Sequence, residues 1–218
     1  MLEGPYNETS SLMNDNLRTL PDFATSEPYT ALGFTSVNSL GGEVIIDLVN
    51  ALAVSGNDAI IDWIFVELRS GGDPNIVLAT SPALLQADGD VVDMDGTSPL
   101  MFTNLSAGDY SLAIRHRNHL SIRTQSTATL TAFTSLSIDF TSAATPVTGT
   151  DARKDVNGTL VLWAGDANND NSINAADRSE TWNNRNLSGY HVFDVNLDGS
   201  CNAGDRSIAW NNRNRMGE

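Results

Sequence analysis

A chain of 218 residues with 40% hydrophobic content can bury a sizeable core, which excludes global disorder. A net charge of −15, with eleven Arg and one Lys, excludes a nucleic-acid surface, because phosphate contacts need clustered cations. The single cysteine, Cys201, excludes an internal disulfide, leaving a reducing compartment or a secreted chain cross-linked by metal ions.

The first segment, MLEGPYNETSS, lacks the basic and apolar regions of a signal peptide, so a leader is expected to have been removed or never present. No apolar run approaches the roughly 20 residues of a membrane span, so no membrane insertion is expected. Residues 1–42 are polar and turn-rich. From Glu43 the texture turns strand-like: EVIIDLVNA, IIDWIFVELRS, NIVLAT, PLMFTNL, DYSLAIRHR, LSIRT, TATLTAF and LSIDFT are short β-branched or aromatic runs. Turn signals such as SGND, SGGDPN, ADGD, DGTSP and SAGD separate them. In DYSLAIRH, Tyr110, Leu112 and Ile114 alternate with Ser111, Ala113 and Arg115, the period of a half-buried strand. About eight such runs predict an antiparallel β-sandwich. Residues 142–158 read as a loop or linker, and TLVLWAGD as a last apolar strand. The predicted organisation is a β-sandwich domain over 1–158 and a small α-helical repeat domain over 159–218.

Two polar groups on this domain invite a functional reading. Asp88, Asp90, Asp93 and Asp95 in DGDVVDMDG form either a solvated hairpin turn or a weak third cation site. His116 and His119 in HRNH have no further His or Cys nearby to complete a tetrahedral zinc site and are expected in an ordinary loop. No nucleophile elbow, phosphate loop or HExxH motif is present, so no catalysis is expected.

The chemistry is concentrated after Gly165. GDANNDNSINAADRSETWNNRN is followed, 28 residues on, by a near copy, DVNLDGSCNAGDRSIAWNNRN, that opens at Asp194. A calcium ion needs six to eight oxygens, which one short loop supplies from positions 1, 3, 5, 7, 9 and 12, the seventh through a backbone carbonyl. The first copy places Asp166, Asn168, Asp170, Ser172, Asn174 and Asp177 there, and the second Asp194, Asn196, Asp198, Ser200, Asn202 and Asp205. Position 6 demands a positive φ, which Gly199 adopts freely and Asn171 tolerates. Position 8, apolar in such loops, is Ile173 or Cys201. Two calcium ions are therefore predicted, and the carboxylates should repel one another and loosen the loops when calcium is removed.

Two resemblances follow from these residues. The paired D-x-N-x-D-x-x-[IC]-N-x-x-D loop, with Asp at position 12, resembles the type I dockerin, a calcium-dependent module that docks onto cohesin domains. The resemblance implies the metal ligands named above. It does not extend to docking: the hydroxyl pair usual at positions 10 and 11 is replaced by Ala175–Ala176 and Ala203–Gly204. Upstream, Leu105, Gly108 and Tyr110 in FTNLSAGDYSLAI resemble the Leu-x-x-Gly-x-Tyr turn of prealbumin-like sandwiches. The string from Asp62 to Leu120 is similar to a module of large secreted bacterial surface proteins. Some sandwiches of this shape carry Lys–Asn isopeptide cross-links, but Lys154 lies outside the strands.

These readings converge on a non-enzymatic, extracellular or cell-surface bacterial protein. It is expected to be a self-assembling structural or adhesive subunit stapled by calcium. The alternatives are a docking module for a cohesin-like partner, or a carbohydrate-binding module using Trp63, Trp182 or Tyr190. Trp182 and Trp210 are expected to pack on each other or on the sandwich, and the WNNRN ends either to cap their helices or to reach a neighbouring subunit.

Overall fold

A computed structural model of the chain describes residues 1–132 and 135–218. In chain order, the first elements are β1 (Tyr6–Asn7), β2 (Leu12–Met13), α1 (Leu48–Ala53), β3 (Ile60–Ser70), β4 (Val77–Gln86) and β5 (Val91–Val92). They are followed by β6 (Gly108–Arg115), β7 (Ile122–Arg123), β8 (Ala128–Leu130), β9 (Lys154–Val156) and β10 (Thr159–Val161). The last elements are β11 (Ser172–Ile173), α2 (Ala175–Asn183), α3 (Ala203–Asn211) and β12 (Arg215–Met216).

The architecture is mainly β, with antiparallel ladders and few helices. One six-stranded sheet, ordered β5-β4-β3-β6-β7 with β8 also paired to β6, forms the centre. Its register sets Phe65 opposite Pro82 on one side and Arg115 on the other. Ile60 to Leu68 are all buried, so the central strand is covered on both faces. This explains its apolar runs, Ile60–Ile61 and Trp63–Val66, and the two acids buried with them, Asp62 and Glu67, pair with Arg117 and Arg69.

Residues 1–42 supply one cover. Tyr29 and Phe34 pack on Phe65 with ring centroids 5.0 and 5.4 Å away. The Tyr29 hydroxyl donates to the Trp63 carbonyl at 2.9 Å, and the Trp63 indole donates to Ala24 O at 2.8 Å. Full burial of each such aromatic stabilises the fold by about 1.5–3 kcal/mol. The irregular N-terminal segment is thus a layer of the core. On the other side, Ile64, Val66 and Leu112 line an apolar groove of about 1540 Å³ roofed by Phe102 and Phe140.

Several expected strands are absent or altered. EVIIDLVNA makes a bridge only at Val44, then Asp47 takes φ 52° and LVNALA coils into α1. Leu and Ala are strong helix formers, and without a neighbouring strand their propensity prevails. PLMFTNL has a single bridge, Pro99 to Val92, and Asn104 turns the chain at φ 59°. LSIDFT is held as a turn, in which Asp139 accepts from Thr141 N and Oγ1 at 2.8 and 2.6 Å. TATLTAF is laddered over Ala128–Leu130 only, and its Phe133 lies outside the described residues. The alternation in β6 does not produce a wet face, since Ser111 and Ala113 are buried as well as Tyr110 and Ile114. The 142–158 segment contains β9, which pairs with β10.

The repeats start where three chain segments run together. Leu2 bridges Leu162 in parallel, His119 bridges Ala164, and the chain then enters the first loop at Gly165. No helix among the described residues is long and apolar enough to cross a membrane.

Candidate metal centre

The two loops have the same internal geometry. Asp166 accepts from the N–H groups of Asp170 and Asn171 at 3.1 and 3.0 Å, and Asp194 accepts from those of Asp198 and Gly199 at 3.1 and 2.8 Å. Asp177 accepts from Ala167, Asn168 and Asn174 at 2.9, 3.3 and 2.8 Å, and Asp205 accepts from Val195, Asn196 and Asn202 at the same three distances. Asn174 and Asn202 cap α2 and α3, each accepting from the second residue beyond at 2.7 Å. Position 6 is left-handed in both copies, at φ 65° for Asn171 and 86° for Gly199. Asp170 and Asp198 accept from Ser172 N and Ser200 N at 2.9 Å, and from the amides of Asn168 and Asn196.

Position 8 pins each loop crosswise. Ile173 is fully buried, and its carbonyl accepts from Asn214 N beyond α3 at 2.8 Å. Cys201 is likewise buried, and its carbonyl accepts from Asn186 N beyond α2 at 2.8 Å. Asn186 and Asn214, the last residues of the two WNNRN ends, take φ 74° and 68° to make these turns. Asn184 and Asn212 cap their helices by backbone donation to Glu180 O and Ile208 O at 3.1 and 2.9 Å, and the buried Asn212 amide also donates to Ala164 O at 2.7 Å. Burial pushes the Cys201 thiol up to about 12, so it packs as an apolar side chain.

The electrostatics of the loops are unbalanced. Asp177, Asp194 and Asp205 are 0% exposed and Asp166 3%, and none has an ion-pair partner among the described residues. Burying an ionised carboxylate costs several kcal/mol unless it is compensated. Backbone N–H donors compensate in part only: burial and the neighbouring Asp177 push Asp166 up to about 7, and burial pushes Asp194 up to about 6. Asp177 and Asp205 are raised by burial too. Missing positive charge among oxygen donors is what a hard divalent cation supplies.

Among the described residues, no three His, Cys, Asp or Glu side chains converge closely enough to enclose an ion unaided. The donor set of each loop is mixed, with Asn and Ser oxygens and backbone carbonyls beside the carboxylates, and on that chemistry it fits calcium. The proposed third group disperses: Asp93 accepts from Met94 N, and Asp95 from Thr97 N and Ser98 N, each within its own turn.

The HRNH segment departs from the expected loop. His116, Arg117, Asn118 and His119 are all buried. Asp62 of β3 accepts from Arg117 Nε at 3.0 Å, His116 Nε2 at 3.1 Å and the Tyr190 hydroxyl at 2.6 Å. Burial alone would raise Asp62, but the Arg117 guanidinium and these hydrogen bonds hold it well below the usual carboxylate range. Asn118 ties both loops to the sheet. Its carbonyl accepts from Gly165 N and Asp166 N at 3.0 and 3.2 Å, and its amide donates to Asp194 O at 2.7 Å. Sequence reasoning missed this hub; its only signal was four polar residues in a row directly after a strand.

The aromatic sugar platform of the alternative, carbohydrate-binding reading is not assembled. Trp63 is fully buried, and Tyr190 is committed to Asp62. Trp182 and Trp210 are 40% and 42% exposed and pack under arginines rather than on each other.

No family model matches the chain, and no curated protein matches it in sequence. Among solved structures it is similar to N-terminal and C-terminal interface mutants of a type II Cohesin-X-Dockerin complex from Acetivibrio cellulolyticus. Each is 20% identical, with 71% of this chain and 82% of that chain covered and TM-scores of 0.39 and 0.40. A likeness at that level assigns neither partner nor activity.

Proposed function

We propose that the chain is a non-enzymatic, secreted module in which a prealbumin-like sandwich carries a dockerin-like loop pair stapled by two calcium ions. It serves as a structural or adhesive subunit at a bacterial surface. The observation that carries this reading is the duplicated loop with four buried carboxylates that have no ion-pair partner among the described residues. Asp166, Asn168, Asp170, Ser172, Asn174 and Asp177 would hold one ion, and Asp194, Asn196, Asp198, Ser200, Asn202 and Asp205 the other. Each ion would neutralise charge that the fold has already buried. At extracellular calcium, around millimolar, such sites stay filled and act as permanent cross-links.

Isothermal titration calorimetry tests the reading. Two calcium ions per chain are expected, Asp177→Asn combined with Asp205→Asn should abolish strong binding, and magnesium should substitute poorly. Absence of binding at millimolar calcium would overturn it. A carbohydrate-binding role is disfavoured because guanidiniums occupy the ring surface that a sugar would stack on. A docking role remains the second reading, favoured by the exposed face shared by α2 and α3.

A further inference from the structure

That face has an unusual composition for so acidic a chain. Arg185 and Arg206 stack over the Trp182 ring with guanidinium carbons 4.3 and 4.7 Å from its centroid. Arg213 and Arg178 stack over Trp210 at 4.2 and 4.8 Å. Each ring thus takes one arginine from its own helix end and one from the other helix. Arg185 and Arg213 are held further by donating to the Trp182 and Trp210 carbonyls, both at 2.9 Å.

None of these four arginines has a carboxylate partner among the described residues. Of the other cations, Arg18, Arg69, Arg115, Arg117, Arg123, Arg215 and Lys154 pair with carboxylates, and Arg153 donates to the Phe140, Ser142 and Thr145 carbonyls. The nearby Glu180 carboxylate is bonded by the Asn184 amide. With 27 acidic residues in the chain, four adjacent unpaired guanidiniums form a positive island. Stacking on indole fixes each guanidinium while leaving N–H edges free for bidentate carboxylate bonds, so little side-chain entropy is lost on binding.

A complementary patch lies elsewhere on the same molecule. Asp58 and Asp90 are exposed and Asp88 is half-buried, and none has an ion-pair partner among the described residues. Asp88 N donates to Asn57 O at 3.1 Å, which brings the three carboxylates onto neighbouring turns, and burial with the neighbouring Asp88 and Asp58 raises the Asp90 carboxyl. Opposite charge makes the two surfaces complementary between chains. We propose that the arginine-stacked tryptophan face of α2 and α3 docks onto the Asp58–Asp88–Asp90 patch of a second copy. Because two different patches meet, the contact is head-to-tail and propagates into chains or rings. Repulsion between the remaining acidic surfaces is screened beyond about 8–10 Å at physiological salt. The inference rests on the assembly half of the proposed function and not on calcium occupancy.

Sedimentation velocity with calcium present tests it. Wild type should form a concentration-dependent series of oligomers at about 20 mM salt and dissociate to monomer at about 500 mM. Arg185→Ala with Arg213→Ala, and separately Asp88→Ala with Asp90→Ala, should each be monomeric. Mixed together, the two variants should form a dimer that grows no further, since each retains one intact patch. Far-UV circular dichroism and the calcium titration on the same samples separate misfolding, or failure of the calcium reading, from failure of the contact. Monomeric wild type at low salt, or unaltered assembly in either variant, would overturn the proposal. Retention of a monomeric wild type on immobilised heparin, lost in the arginine variant, would also overturn it by assigning the face to a polyanionic glycan.

Discussion

Asp62 decides more at the residue scale than any loop ligand. Its two oxygens take four donors: Trp63 N and the Tyr190 hydroxyl on one, Arg117 Nε and His116 Nε2 on the other. Replacing it with Ala would strand the buried Arg117 guanidinium, whose Nη2 is already without a partner. The expected cost is about 3–5 kcal/mol, seen as a lower urea midpoint; a loss under about 1 kcal/mol would show that water replaces the carboxylate. The neighbouring histidines set a pH dependence. Burial holds both His116 and His119 below their ordinary value. The unfolded chain, titrating near 6.5, then takes up protons that the native chain refuses, so this stability is complete above about pH 6.5 and declines as the pH falls below it. The Asp62 contribution has the same sign but is lost only under more acid conditions, below about pH 4. In calcium-saturated protein the urea midpoint should drop between pH 7.5 and 5.5, and His116→Gln with His119→Gln should flatten that slope.

The short helices of the repeat owe their existence to their ends. α2 and α3 have nine residues each and polar sequences, too short to persist alone. They are fixed by capping boxes, by the crosswise bonds to Ile173 and Cys201, and by Asn118 holding the mouths of both loops. Asn118→Ala removes the side-chain amide that holds Val192 O and Asp194 O but keeps the backbone carbonyl that holds Gly165 and Asp166, so it should lower calcium affinity at the second site, by about 10–100-fold as for other groups that orient ligands from outside. A titration in which the second site is unchanged would contradict that role. The loops were legible in the sequence because the hydrogen bonds that their ligand carboxylates accept come from residues at most ten apart. HRNH was not legible, because its partners Asp62, Glu3 and residues 191–194 are brought to it only by the completed fold. The same limit explains the strands. IIDWIFVELRS is apolar enough to be central in any arrangement, whereas EVIIDLVNA becomes strand or helix according to which neighbour is available to pair with it.

At the scale of the whole molecule, repeat and sheet are joined by buried polar contacts. Glu3 accepts from Ala164 N at 3.0 Å and from the Asn212 amide at 2.6 Å, and pairs with Lys154. Glu218, beyond α3, pairs with Arg69 of β3 at 2.6 Å and with Arg123 of β7 at 3.0 Å. The repeat therefore cannot unfold without exposing groups that the sheet has buried, and the sheet cannot lose the repeat without stranding Arg117 and Asn118. Calcium bound to the loops should thus stabilise the entire chain. A ligand at 100 times its dissociation constant contributes about 2.7 kcal/mol per site. Two such sites would raise the melting temperature by on the order of 10 °C in a domain of this size. Differential scanning calorimetry should give one transition in calcium and one transition, at least that much lower, in chelator. Two peaks of which only the smaller responds to calcium would mean that the repeat unfolds by itself, and that the polar contacts at Glu3, Asn118 and Glu218 align the two parts without coupling their stability.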